Sequence, residues 1–141
     1  MWRILIADDQ QNIRNLVRGL LERQEAWEVC GEASDGRQAI GLCESLSSDL
    51  IILNLHMPSM NGPDVNGFDT IRFIAMNWPK IRILALSVDE SVHFALAAEE
   101  CGAHGFLPKG QATGHLAEAV NTLLRNERYS SGLSVEPAHC A

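Results

Sequence analysis

Short apolar runs alternate along this chain with longer stretches in which apolar residues recur every three or four positions. The clearest run is Leu50, Ile51, Ile52 and Leu53, the pattern of a strand covered on both faces within a parallel sheet. It meets Asn54, a polar amide at the strand's C-terminal edge, and Pro58, Gly62, Pro63 and Gly67 then interrupt regular structure. Arg3–Ala7 (RILIA) predicts the first strand, Trp27–Ala33 (WEVCGEA, period two) the second, Ile81–Leu86 the fourth, and Gly105, Phe106 and Leu107 a short fifth. Between them the spacing predicts five helices. Ile13, Leu16, Val17, Leu20 and Leu21 line one over about 12–24, and Ala39, Ile40, Leu42, Cys43 and Leu46 one over 38–46. Phe68, Ile71, Ile74 and Ala75 line a third that ends near Asn77, before Pro79. Val92, Ala95, Leu96 and Ala98 line a fourth, stopped by Gly102, and Leu116, Ala119, Val120, Leu123 and Leu124 a fifth.

Five strands alternating with five helices, joined by right-handed crossovers, predict an α/β fold with a doubly wound parallel sheet. Polar groups stand at the C-terminal ends of four separate strands: Asp8 and Asp9, Asn54, Ser87, and Lys109. A parallel sheet brings those ends to one edge, where ligands of such sheets bind. Adjacent carboxylates repel each other and have little reason to enter a core. Asp8 and Asp9 could instead hold a divalent cation, and carboxylate oxygens completed by water suit Mg²⁺; a solvated turn is the alternative. Lys109 would pair with them. Ser87 could cap the following helix, with Glu90 three residues on as in a capping box.

Composition narrows the classes. The 141 residues suit one domain with a sizeable core. Hydrophobic residues at 46% and charged residues at 21% are an ordinary soluble balance. The net charge of −7 weighs against nucleic acid as a direct partner, and equally suits plain acidic solubility. No apolar run approaches the roughly 20 residues of a membrane span, and MWRILIADD turns acidic too soon for a secretory signal. Cys30, Cys43, Cys101 and Cys140 include no CxxC pair and read as buried free thiols of a reducing, cytoplasmic compartment. His56, His93, His104, His115 and His139 lack zinc-ligand spacing. Trp2, Trp27 and Trp78 fall at element edges, where packing explains them. A small α/β enzyme, such as a phosphatase or flavoprotein, is disfavoured because QQNIR, not a glycine-rich phosphate loop, follows the first strand. Residues 130–141 read as a tail or linker, rich in Ser, Gly and Pro with few apolar anchors.

The stretches ILIADDQQNIR, VCGEASDGRQAI, DLIILNLHMPSMNG, IRILALS and ECGAHGFLPKG together resemble the receiver (CheY-like) domain of two-component response regulators. The likeness is to the NarL/FixJ class that precedes LuxR-type DNA-binding domains, and LLRNERYSS fits the same subgroup. The resemblance implies a flavodoxin-like three-layer sandwich, with a five-stranded sheet in the order 2-1-3-4-5. It implies a receiver domain over 1–129, with 130–141 a tail or the start of an interdomain linker. By resemblance, Asp8 and Asp9 match the acidic pair that binds Mg²⁺, and His56 the position whose backbone carbonyl joins the metal. Asn54 stands where the family places its phosphate-accepting aspartate. Ser87 and Lys109 match the phosphoryl contacts, and Phe106 the aromatic that repacks on activation.

Two departures stand out. An acyl phosphate needs a carboxylate nucleophile, and Asn54 offers an amide; it also removes one charge from the metal site, so Mg²⁺ should bind weakly. Two readings follow, a naturally degenerate receiver and an active receiver whose aspartate has been substituted. In addition, PDVNG follows MNG, about five residues more than the family's usual turn. Asp64 and Asp69 beside it could serve as substitute carboxylates, although a solvated loop explains them as well. The expected function is therefore a signalling module, not an enzyme, acting through protein contacts. A sensor histidine kinase or another signalling protein is the implied partner. Homodimerisation is implied through the first and fifth helices, or through the face of helix four, strand five and helix five. DNA would be reached only through a C-terminal domain outside these residues, and no membrane contact is implied.

Overall fold

The computed structural model describes residues 1–57 and 67–130. Pro58, Gly62, Pro63, Asp64, His139 and Cys140 lie outside the described residues, as does the chain beyond Ser130. The elements run β1 (Trp2–Ala7), α1 (Gln11–Leu21), β2 (Trp27–Ala33), α2 (Gly36–Ser45), β3 (Leu50–Asn54), α3 (Phe68–Asn77), β4 (Arg82–Ser87), α4 (Val92–Cys101), β5 (Gly105–Pro108), α5 (Ala112–Leu124) and β6 (Tyr129–Ser130). A 3₁₀ turn over Lys109–Gln111 leads into α5.

The strand side chains alternate between two cores, as the period of two requires. Ile4, Ile6, Leu50, Ile52, Leu84, Leu86 and Leu107 face one side, where Val17 and Leu21 of α1 and Leu116, Val120 and Leu123 of α5 close over them. Leu5, Ala7, Ile51, Leu53, Ile83, Ala85 and Phe106 face the other, under Ala39 and Cys43 of α2, Ile71 and Ile74 of α3, and Ala98 of α4. Covered on both sides, β3 needs no polar residue until its last position, and all five of its residues are buried. Each large side chain so buried stabilises by roughly 1.5–3 kcal/mol against leaving it in water.

The sheet is parallel throughout the described residues, but it has six strands in the order β2-β1-β3-β4-β5-β6, not the expected five. After α5 the backbone turns through Asn126, at φ 63°. The guanidinium of Arg82 holds the Leu123 and Glu127 carbonyls at 3.0 and 3.1 Å, and Arg128 Nη1 holds that of Ala103 at 3.1 Å. These contacts lay Tyr129 and Ser130 against Gly105 and Phe106. Together with Tyr129 N–H on the His104 carbonyl at 3.1 Å and the packing of Tyr129 on the core, these side-chain bonds make a strand from two residues with no alternating apolar pattern.

Helix α1 ends at Leu21, three residues short of expectation, and Gln24 N–H closes a turn onto the Leu21 carbonyl. Between β1 and β2 the pairing skips Cys30, which opposes no residue; its thiol lies 3.6 Å from the Ile4 carbonyl. Cys43 and Cys101 are buried and Cys30 half-buried, all three as free thiols. Burial pushes the Cys43 thiol up to about 12, far from thiolate chemistry. Among the described residues no helix is long and apolar enough to cross a membrane.

Candidate functional site

Asp8 leaves β1 with its N–H on the Ala33 carbonyl at 2.9 Å and its side chain turned inward, 1% exposed as a residue. Its Oδ1 accepts from Gln10 N–H at 2.9 Å, and Arg14 Nη1 clasps its carbonyl at 2.6 Å. Its Oδ2 faces the Lys109 ammonium at 3.0 Å and has no directed hydrogen bond of its own. Asp9, the next residue, is exposed. Lys109 reaches this point because β5 ends at Pro108, on the neighbour of β4, and the chain then tightens into the 3₁₀ turn.

Asn54 closes β3, also 1% exposed. His56 N–H donates to its Oδ1 at 3.0 Å, which fixes the amide's orientation. The NH₂ group is thereby turned toward the acidic pair, with Nδ2 at 3.5 Å from Asp9 Oδ1, the outer limit of a hydrogen bond. Gly67 N–H returns to the Leu55 carbonyl at 2.6 Å, and a Cβ on Gly67 would stand 3.0 Å from Leu53 Cδ2, so the chain re-enters here over a glycine.

Ser87, the last residue of β4, is fully buried. Its Oγ donates to the Asp89 carbonyl, accepts from Asp89 N–H, and lies against His56 Nε2, each at 2.9 Å. It does not cap α4. Ser91 does, its Oγ accepting from Phe94 N–H at 3.2 Å, while Ser91 N–H on Asp89 Oδ1 at 2.8 Å, together with its hydroxyl, holds the Asp89 carboxyl below its usual range. The Ser87 hydroxyl is occupied at the strand end, and only the serine four residues on is free to turn toward helical N–H groups. The imidazole of His56 stacks on Phe94, ring centroids 5.4 Å apart and planes 12° from parallel. Phe106 is buried in the core that α2, α3 and α4 cover. Asp69 lies in the first turn of α3, its Oδ1 accepting from Thr70 N–H at 2.8 Å.

The fold therefore brings the expected strand-end groups into two linked contacts, Asp8 with Lys109 and Asn54 with Asp9, and ties Asn54 through His56 to Ser87. Among the described residues no three Asp, Glu, His or Cys side chains gather as a cation cluster. A divalent ion would meet two carboxylates, but also an ammonium and an amide NH₂, both hydrogen-bond donors. The Asn54 NH₂ faces Asp9 and the Lys109 ammonium faces Asp8, and neither nitrogen can ligate a cation, so as arranged these residues fit Mg²⁺ poorly. Three features escaped the sequence reading: the Arg14 clasp on Asp8, the use of the His56 ring, and the half-buried His104. Only Arg14 left a trace, as the first cation of the helix that follows the acidic pair.

The response regulator receiver domain family matches residues 4–121. The transcriptional regulatory protein DegU of Brevibacillus brevis is 29% identical over 127 residues, 90% of this chain and 52% of its own. The response regulator UvrY of Escherichia coli K12 is 28% identical over 129 residues, 92% of this chain and 57% of its own. This chain thus spans about half the length of the curated relatives it matches. A two-component response regulator of the LuxR family from an Aurantimonas species superposes with a TM-score of 0.84 at 29% identity, over 92% of this chain and 89% of that one. The non-phosphorylated receiver domain of RcsB from Escherichia coli gives 0.83 at 24% identity, over 92% and 97%, and shares the fold. The LuxR subgroup expected from the motifs reappears in the name of the Aurantimonas protein. The family match, the parallel sheet and Asp8 facing Lys109 at one rim agree: this chain is a response regulator receiver domain.

Proposed function

We propose that this receiver takes no aspartyl phosphate, and that it signals through protein contacts from a resting arrangement held by its own side chains. Asn54 stands at the phosphoacceptor position. Phosphoryl transfer there would form an O–P bond to a carboxylate oxygen while the donor's bond to phosphorus breaks. An amide oxygen is a poor nucleophile for that step, and the amide nitrogen's lone pair is delocalised. The observation that carries the reading is the orientation of Asn54: its one oxygen accepts from His56 N–H, and its NH₂ faces Asp9. Where the chemistry wants an acceptor flanked by a cation, the chain presents a donor.

Asp8, Asp9, Asn54 and the carbonyl of His56 are the groups that would approach Mg²⁺, and it binds weakly because Asn54 supplies no negative charge and turns its NH₂ toward Asp9. Ser87 and Lys109 occupy the phosphoryl-contact positions and Phe106 that of the switch aromatic. The module is not an enzyme. Its partners are a sensor histidine kinase or another signalling protein and a second copy of the chain, and it reaches DNA only through a further domain. The length of the relatives beyond this chain supports that last point. A second reading is favoured by the intact Asp8–Lys109 pair: a conventional receiver in which Asn54 replaces the acceptor.

Acetyl phosphate with Mg²⁺, followed by intact mass, tests both. The chain is expected to stay at its own mass, and a gain of one phosphoryl group would overturn the proposal. Uptake by Asn54→Asp would support the second reading's machinery.

A further inference from the structure

His56 makes three contacts that no other residue of the site combines. Its N–H holds the Asn54 oxygen, its Nε2 lies 2.9 Å from Ser87 Oγ, and its ring stacks on Phe94 of α4. Phe94 in turn meets Phe68, the first residue of α3, at 5.4 Å between centroids. Ser87 has one hydroxyl proton, and the Asp89 carbonyl takes it. All three bonds at Ser87 are therefore satisfied only when His56 carries its proton on Nε2 and donates. His56 thus joins the end of β3 to Ser87 at the end of β4 and to Phe94 in α4.

We infer that His56 is a positioning residue, a latch that links Asn54 to α4 and holds the β4–α4 loop in one arrangement without any ligand. The inference rests on the reading of Asn54 given above, since a site that never takes a phosphoryl group must set the position of α4 by other means. His56 is itself exposed. Its removal opens no core cavity, so its variants are expected to fold, and its effect is local.

Amide hydrogen exchange across residues 87–96 tests the latch. His56→Ala loses both the stack and the donor, and exchange there is expected to quicken roughly tenfold or more, with β1 and β3 unchanged. His56→Phe retains a ring without the donor, so α4 is expected to slow again while Ser87–Asp89 stays fast. Unchanged exchange in His56→Ala, an equal rise in β1 and β3, or native exchange throughout His56→Phe would each overturn the inference. Intact mass after acetyl phosphate treatment of the unmodified chain separates the two proposals. If the latch fails and no phosphoryl is gained, the reading of Asn54 stands; a gain defeats that reading whatever the exchange shows.

Discussion

The Lys109 ammonium lies 3.0 Å from Asp8 Oδ2, with the two side chains 14% and 2% exposed. The pair is shielded enough for its partners to depend on each other, and no hydrogen bond from the described residues stands in for Lys109 at Oδ2. Removing one member of a buried pair strands the other in a medium that solvates it poorly. Lys109→Met is expected to lower unfolding free energy by about 3 kcal/mol in urea titrations. Adding Asp8→Asn to Lys109→Met should recover part of that loss. A double variant no more stable than Lys109→Met would mean that the two charges are not coupled.

The surroundings of His104 give it a pH dependence whose sign follows from burial and neighbouring charge. Its Nδ1 accepts Ile83 N–H at 2.9 Å, and burial, followed by the charges of Arg82 and Arg128, lowers it from 6.5 to about 4. The unfolded chain therefore binds a proton more readily between those values. The contribution of neutral His104 is complete above about pH 6.5 and is lost progressively as pH falls toward about 4. His104→Asn keeps an acceptor near the Nδ1 position but cannot titrate. Its stability is expected to fall less steeply over that window than the unmodified chain's, and parallel slopes would refute the assignment.

Gly102 ends α4 at φ 120°, and a Cβ there would stand 2.5 Å from the Cβ of Ala75 in α3. Backbone strain and collision act together. Gly102→Ala is expected to cost upward of about 1 kcal/mol, read as a lower urea midpoint. An unchanged midpoint would show that α3 and α4 can separate freely at this crossing.

The alternation of apolar runs with helical spacing made the parallel sheet legible, and residues 50–54 show why: a strand covered on both faces permits only apolar residues until its C-terminal end. The same logic found Asp8, Asn54, Ser87 and Lys109 at the strand ends. What stayed hidden depends on contacts distant in sequence. β6 is two residues long, and its pairing follows from Arg82 and Arg128 reaching backbone carbonyls. The ring of His56 is directed by Phe94, far along the chain. Ser87 ends β4 whereas Ser91 stands immediately before α4, and with the Ser87 hydroxyl held by the Asp89 backbone it is Ser91 that caps the helix.

The central claim is that residue 54 offers no carboxylate and that its surroundings are already balanced without a ligand. Beryllofluoride with Mg²⁺ tests it directly, since this phosphoryl mimic bonds to a carboxylate oxygen. Amide spectra of the unmodified chain are expected to leave Asn54, Ser87, Phe94 and Lys109 in place on its addition, while the same positions move in Asn54→Asp. Saturable shifts at those four residues in the unmodified chain would contradict the claim.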